Sequence, residues 1–415
     1  VSLADNVEFL RHLPKPNQSN DPGSLPRGLR RRGSRLTEVT GFGSNPGDLR
    51  MFLFAPVDLP KKPALVVVLH GCTQHAVGYD FGAGWSALAE RYGFALLMPE
   101  QKSSNNANCC FNWFQPQDIT RDRGEACSIR QMIDRASRDI GIDHHRVFIT
   151  GLSAGGAMTT VMLATYPEIF AGGAVIAGLP YGIATNVQEA LRGMFQSPSR
   201  KASELGDLVR NASTHKGRWP KLSVWHGSAD RTVNPSNADE IVKQWLDVHQ
   251  LPAEPMSEAT VDGHPRQVWW NDDGETVIES YTITNMSHGT PLGVAANDER
   301  YGAEGAFLIE AGISSSYHIA KFFGLTERIR PAKPEPKLVL DPTPEPIPAP
   351  VVAALPLQAA PVQAAPLPAA PALPARVAPD TRAESDPPRR RRAGVRAVIT
   401  DVLAALGLIK DRGAS

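Results

Sequence analysis

The run Gly151-Leu152-Ser153-Ala154-Gly155 sets a serine between small residues. The apolar stretch 147–150 precedes it, and Gly156-Ala157-Met158-Thr159 follows in a helical pattern that runs to about Tyr166. A G-x-S-x-G run arises often by chance. A strand before it and a helix after it are the context a nucleophile turn demands. The small neighbours let the chain turn sharply, and the helix N-terminus behind the serine favours negative charge developing there. A serine hydroxyl is a weak nucleophile, so a base must take its proton. Trp225-His226-Gly227-Ser228-Ala229-Asp230 follows the apolar run 222–225, and Ser287-His288-Gly289 follows the run 277–283. The expected roles are Ser153 as nucleophile, Asp230 as acid and His288 as base, an order compatible with acyl transfer. Of eleven histidines, His288 is the only one between the last strand and the last helix. His226 reads as a packing residue at its strand end. Asp262, Asp272 and Asp273 are weaker candidates for the acid, because they lie between Pro252 and the run 277–283.

His70-Gly71-Cys72-Thr73-Gln74 closes another apolar run, 65–69. A loop placed there can lend a backbone N–H to a developing oxyanion, with a second N–H from the residue after the serine. The expected donors are the N–H groups of Cys72 and Ala154. The alternative is a simple tight turn.

These residues must be carried to one edge of a common scaffold. The runs 36–42 and 50–55 read as an antiparallel pair, and 65–69 is apolar on both faces, as a central parallel strand must be. The runs 94–98, 147–150, 173–176, 222–225 and 277–283 bring the count to about eight strands. Helical spacing separates several of them, as in 128–140 with Ile129, Met132, Ile133, Ala136 and Ile140. The expected fold is α/β, a mostly parallel sheet with helices on both faces. Loops at the C-terminal edge of such a sheet are where sites assemble.

The chain has 415 residues, enough for one large catalytic domain, expected at 36–328 after a flexible arm at 1–35. Seventeen of its 36 prolines fall within 331–388, so a Pro/Ala-rich, disordered linker is expected over 329–388. A basic run, Arg389 to Arg392, and a short amphipathic helix are expected within 389–415. Val395, Val398, Ile399, Val402, Leu403, Leu406 and Ile409 follow helical spacing there. That helix suits peripheral contact with a membrane or polymer surface, or with a second copy, against the alternative of a frayed terminus. Lys plus Arg number 43 and Asp plus Glu number 43, so the strong positive field of a nucleic-acid binder is absent. No apolar run reaches the length of about twenty residues that a membrane span needs. No signal peptide is read in residues 1–35. Cys72, Cys109, Cys110 and Cys127 allow three complete pairings, of which Cys72–Cys110 with Cys109–Cys127 is the expectation, against four unpaired thiols. Their spacings fit no zinc motif, so neither metal nor organic cofactor is expected.

With these motifs placed, the chain resembles the poly(3-hydroxybutyrate) depolymerase family of α/β-hydrolase esterases, which also holds feruloyl and acetylxylan esterases. The matching segments are His70-Gly71-Cys72-Thr73-Gln74, Cys110-Phe111-Asn112-Trp113-Phe114, Gly124-Glu125, 151–156, His226-Gly227 with Asp230, and Ser287-His288-Gly289. They occur in order over roughly 36–325. The resemblance implies a Cys72–Cys110 disulfide and a substrate pocket lined by Gln74, Asn112 and Trp113. It implies a cofactor-free two-step hydrolysis of a polyester, feruloyl or acetyl ester, and an extracellular location, with the cytoplasm as the alternative. Asp122 stands where the family commonly has glycine. The competing readings are a peptidase of the same fold and a non-catalytic binding protein built on it.

Overall fold

A computed structural model describes residues 34–196 and 198–327. The expected arm 1–35, apart from Ser34 and Arg35, and the linker, the basic run and the C-terminal helix expected beyond 327 lie outside the described residues. The strands are β1 (Thr37–Val39), β2 (Arg50–Phe54), β3 (Leu65–Leu69), β4 (Ala95–Glu100), β5 (Val147–Leu152), β6 (Gly172–Ile176), β7 (Lys221–Gly227), β8 (Ser257–Val261), β9 (His264–Trp270) and β10 (Thr276–Ile283). They form one sheet in the order β1-β2-β4-β3-β5-β6-β7-β10-β9-β8. From β4 to β10 every neighbouring pair is parallel. The flanking pairs β1–β2, β2–β4, β10–β9 and β9–β8 are antiparallel.

All eight expected runs are strands of this sheet, and β8 and β9 extend one edge. Four of the five β8 residues are exposed, so no apolar alternation marks them. The usable signal was the turn. Asp262-Gly263 joins the two strands with φ of 49° and 85°, the two-residue hairpin geometry that favours Asp-Gly. Two short parallel strands, β11 (Thr290–Leu292) and β12 (Leu308–Glu310), form a separate small sheet after His288.

β3 is buried at all five positions and serves two cores at once. Leu65, Val67 and Leu69 pack with helices α4 (Gly124–Ile140), α5 (Ala154–Thr165) and α8 (Ser236–His249). Val66 and Val68 pack on the opposite face with α1 (Ala76–Ala83), α2 (Trp85–Tyr92) and α9 (Ser315–Phe322). Fully burying each such valine stabilises the fold by about 1.5–3 kcal/mol. The remaining helices are α3 (Pro116–Ile119), α6 (Val187–Gln196) and α7 (Ala202–Arg210). Helix α4 starts four residues before the expected 128, because its first turn buries a carboxylate, Glu125, which an apolar pattern does not register. Among the described residues no helix is long and apolar enough to cross a membrane.

Candidate active site

Ser153 occupies the turn between β5 and α5 with φ 57° and ψ −117°, a conformation that L residues avoid. Packing explains why the chain accepts it. A Cβ on Gly155 would stand 2.5 Å from the carbonyl oxygens of Leu69 and His70, and one on Gly151 would stand 2.4 Å from the carbonyl of Gly155. The two glycines let helix α5 start against the ends of β3 and β5. Ser153 N–H donates to Ile176 O at 2.9 Å, which ties the turn to β6. The Ser153 side chain caps nothing in its own helix. Ala157 N–H makes the first helical bond, to Ser153 O at 2.8 Å. The N–H of Ala154 therefore belongs to the first turn, which has no intrahelical acceptor.

The other two residues are brought together by β7 and β10, which run side by side. Past their ends Ser228 N–H donates to Ile283 O at 2.9 Å and Ala229 N–H to Met286 O at 3.0 Å. A Cβ on Gly227 would lie 2.3 Å from Met286 O, so only glycine permits this approach. Asp230 Oδ2 accepts from His288 Nδ1 at 2.7 Å. Asp230 Oδ1 accepts the N–H groups of Thr232 (2.8 Å) and Val233 (2.9 Å). Burial works to raise the Asp230 carboxyl, but hydrogen bonds from His226 and His288 outweigh it and hold it well below the usual carboxylate range. His288 is 8 % exposed and Ser153 9 %. No hydrogen bond joins Ser153 to His288 among the described residues; such contacts tighten when a substrate docks.

His226 was expected only to pack. It is buried, but its Nε2 lies 3.0 Å from Val233 O and 3.2 Å from Asp230 Oδ2. The weaker acid candidates are elsewhere. Asp262 Oδ2 pairs with His318 Nε2 of α9 at 2.9 Å. Asp272 and Asp273 sit in the β9–β10 turn, at the opposite end of β10 from His288.

The model of the family described as "Esterase PHB depolymerase" matches residues 50–255. A poly(3-hydroxyalkanoate) depolymerase C from Paucimonas lemoignei is 46 % identical over 291 residues, 70 % of this chain and 70 % of that protein. The chain belongs to the PHB depolymerase family of esterases. A feruloyl esterase B from Neurospora crassa shares 36 % identity over 62 % of this chain and 88 % of its own. An acetylxylan esterase from Coprinopsis cinerea shares 33 % over 62 % and 70 %. The solved acetyl xylan esterase from Aspergillus awamori superposes with a TM-score of 0.59, covering 70 % of this chain and 99 % of its own at 24 % identity. The fold is that of the α/β-hydrolases, and the chain is a carboxylic-ester hydrolase.

In this esterase the loop after β3 is braced from both sides. Cys72 is bonded to Cys110, and Thr73 N–H donates to Asn108 O at 2.6 Å. The second expected pair is not made: Cys109 and Cys127 are free. Cys127 lies on α4, where its sulfur takes an N–H from Gln131 of the same helix. The Cys72–Cys110 bond spans 38 residues, and closing such a loop is worth about 4 kcal/mol in the chain-entropy treatment. Reduction is therefore expected to lower the urea midpoint markedly. Alkylation of both Cys72 and Cys110 in the native, unreduced protein would contradict the bond.

The residues expected to line the substrate pocket are largely occupied with the fold. Gln74 accepts from Gly71 N–H at 2.9 Å and donates to Ala306 O at 3.2 Å. Trp113 is 7 % exposed and packs edge-on to Phe114. Asn112 gives both its backbone N–H (2.9 Å) and its Nδ2 (2.8 Å) to Glu125. Glu125 also takes Gln101 Nε2 at 2.5 Å, and Gln101 N–H donates to His70 Nε2 at 3.1 Å. His70 Nδ1–H donates to Gly71 O at 2.8 Å, so both ring nitrogens are used by the neutral ring. Burial pushes the His70 imidazole down to about 4. This chain of bonds from Glu125 through Gln101 to His70 supports the loop that carries Cys72. Only the Gly124-Glu125 motif hinted at it. Asp122 has φ 64°, a backbone conformation that glycine adopts most freely; its N–H donates to the Tyr166 hydroxyl at 2.7 Å.

Glu125 is 1 % exposed, and burial, with help from Asp118, raises its carboxyl to about 8 against the pull of its hydrogen bonds. A raised folded-state value means the native protein holds a proton that the unfolded chain has released. Its stabilising contribution is complete below about 4.5 and is lost as pH rises through about 8. Between pH 7 and about 8 the urea midpoint of the wild type should fall, levelling off above that, and this fall should be absent in Glu125→Gln. Equal slopes in the two proteins would show that Glu125 titrates normally.

Proposed function

We propose that this esterase cleaves its substrate by two-step acyl transfer at Ser153. His288, held by Asp230, takes the hydroxyl proton as Oγ attacks the ester carbonyl. The N–H groups of Cys72 and Ala154 receive the oxyanion. The alcohol departs with the proton from His288, and water attacks the acyl-enzyme by the same route in reverse. The observation that carries this reading is the 2.7 Å contact between His288 Nδ1 and Asp230 Oδ2, behind a serine held at φ 57°. Donation from Nδ1 leaves Nε2 of the neutral ring as the acceptor a general base needs. Fluorophosphonate labelling is the direct test: the adduct should map to Ser153 by peptide mass spectrometry. An adduct elsewhere, or none, would remove Ser153 from the mechanism and bring back the non-catalytic reading.

The proposed substrate is a polyester of hydroxyalkanoic acids or its soluble oligomers. Identity supports it: 46 % to the depolymerase, against 36 % and 33 % to the feruloyl and acetylxylan esterases. Initial rates on 3-hydroxybutyrate oligomers, feruloyl sugars, acetylated xylan and a peptide anilide would rank the four. Faster turnover of either sugar ester, or of the anilide, would reject the polyester. The Cys72–Cys110 disulfide supports an oxidising, extracellular location, since such bonds persist mainly there.

A further inference from the structure

Asp230 carries more donors than a base-orienting carboxylate requires. Oδ1 is filled by two backbone N–H groups and Oδ2 by His288. A second imidazole, His226, still reaches Oδ2 at 3.2 Å. Its Nε2 must bear the proton, because its other neighbour, Val233 O at 3.0 Å, can only accept. The tautomer is thereby fixed, and it leaves Nδ1 buried with no hydrogen-bond partner among the described residues. Leaving a buried nitrogen unpaired costs stability, so a site concerned only with packing would do better with an apolar side chain. The polar atom of His226 is spent on the acid and on the loop that presents it.

The geometry matters because of where Val233 stands. Its N–H holds Oδ1 while its carbonyl is held by His226, so one imidazole closes a ring through residues 226, 230 and 233. Strand β7 supplies the rigid end of that ring, since His226 is its penultimate residue. Turning the carboxylate away from His288 would break the contact to His226 as well. Asp239 on α8 also lies within electrostatic reach of His226.

We propose that His226 is a positioning residue of the ester-hydrolysis reaction: it clamps Asp230 and its loop so that Oδ2 stays aimed at His288 Nδ1. This rests on the reading of Asp230 and His288 as acid and base. His226 touches no substrate and transfers no proton.

Glutamine and asparagine separate the clamp from bulk polarity. Glutamine can place an N–H donor where His226 Nε2 stands, whereas the asparagine amide ends near Nδ1 and falls short. The test compares His226→Gln, His226→Asn and His226→Leu with the wild type and with Asp230→Asn, each checked for folding by circular dichroism and thermal midpoint. Substrate is a soluble p-nitrophenyl ester. His226→Asn and His226→Leu should lower kcat by about 10- to 100-fold with KM little changed, the loss expected when a catalytic group drifts by about 1 Å. His226→Gln should recover most of kcat.

If Asp230→Asn is nearly inactive while folded His226→Asn and His226→Gln match each other, the clamp is refuted and the acid assignment stands. A loss that falls on KM with kcat unchanged would also refute it, since a misaimed acid slows the chemical step. Should Asp230→Asn retain near-wild-type activity, the acid assignment falls, and the role of His226 falls with it.

Discussion

Ser153→Ala is expected to lower kcat on esters on the order of a million-fold while the protein still folds, as when one member of a concerted trio is removed. The fold should survive because alanine, like serine, can be held at φ 57° by the packing of Gly151 and Gly155, and because the Ser153 hydroxyl caps nothing in its helix. Residual activity should remain above that of water, since the N–H groups of Cys72 and Ala154 and the bound-substrate geometry are untouched. The measurement is burst-free turnover of a p-nitrophenyl ester, with the thermal midpoint as the folding control. A variant that keeps more than about a hundredth of wild-type kcat would exclude Ser153 as the nucleophile, because general positioning effects of that size need no covalent step.

The second large effect is expected at Asp230. Asp230→Asn should cost about ten-thousand-fold in kcat, the loss an acid-to-amide change produces in a serine–histidine–acid trio of a different fold. The cause is the tautomer. The asparagine oxygen would remain with Thr232 and Val233, its two donors, and the amide nitrogen would face His288 at the Oδ2 position. His288 Nδ1 would then have to accept, which puts the proton on Nε2 and removes the base. Thermal stability should change less than activity. None of the other three candidate acids stands ready: Asp262 is engaged with His318, and Asp272 and Asp273 lie at the far end of β10. Activity within about tenfold of wild type, far above what loss of a base-orienting acid leaves, would place the acid elsewhere.

Much of the scaffold was legible because the signals are local. A fully buried parallel strand must be apolar on both faces, so Leu-Val-Val-Val-Leu announces β3, and the apolar spacing of Ile129, Met132, Ile133 and Ala136 announces α4. The turn at Ser153 reads from its glycines, whose absent side chains make room for the carbonyls of Leu69, His70 and Gly155. The edge hairpin β8–β9 was not read, because an exposed strand has no buried face to impose alternation. Its Asp-Gly turn was the one local mark it left.

By itself the sequence determined which residue types stand at the ends of β5, β7 and β10, and in what order, since strand, turn and helix patterns are set within a few residues. What it could not determine is which polar atoms meet across the sheet. That Asp230 meets His288 at 2.7 Å, that His226 reaches the same carboxylate, and that Cys109 and Cys127 stay unpaired were decided only in three dimensions. The same holds for Asn112, whose side chain goes to a buried Glu125. Hydrogen bonds and disulfides depend on ångström-scale approach and direction between segments tens of residues apart. Such approach is fixed by the packing of the whole sheet and its helices, and no short window of residues encodes it.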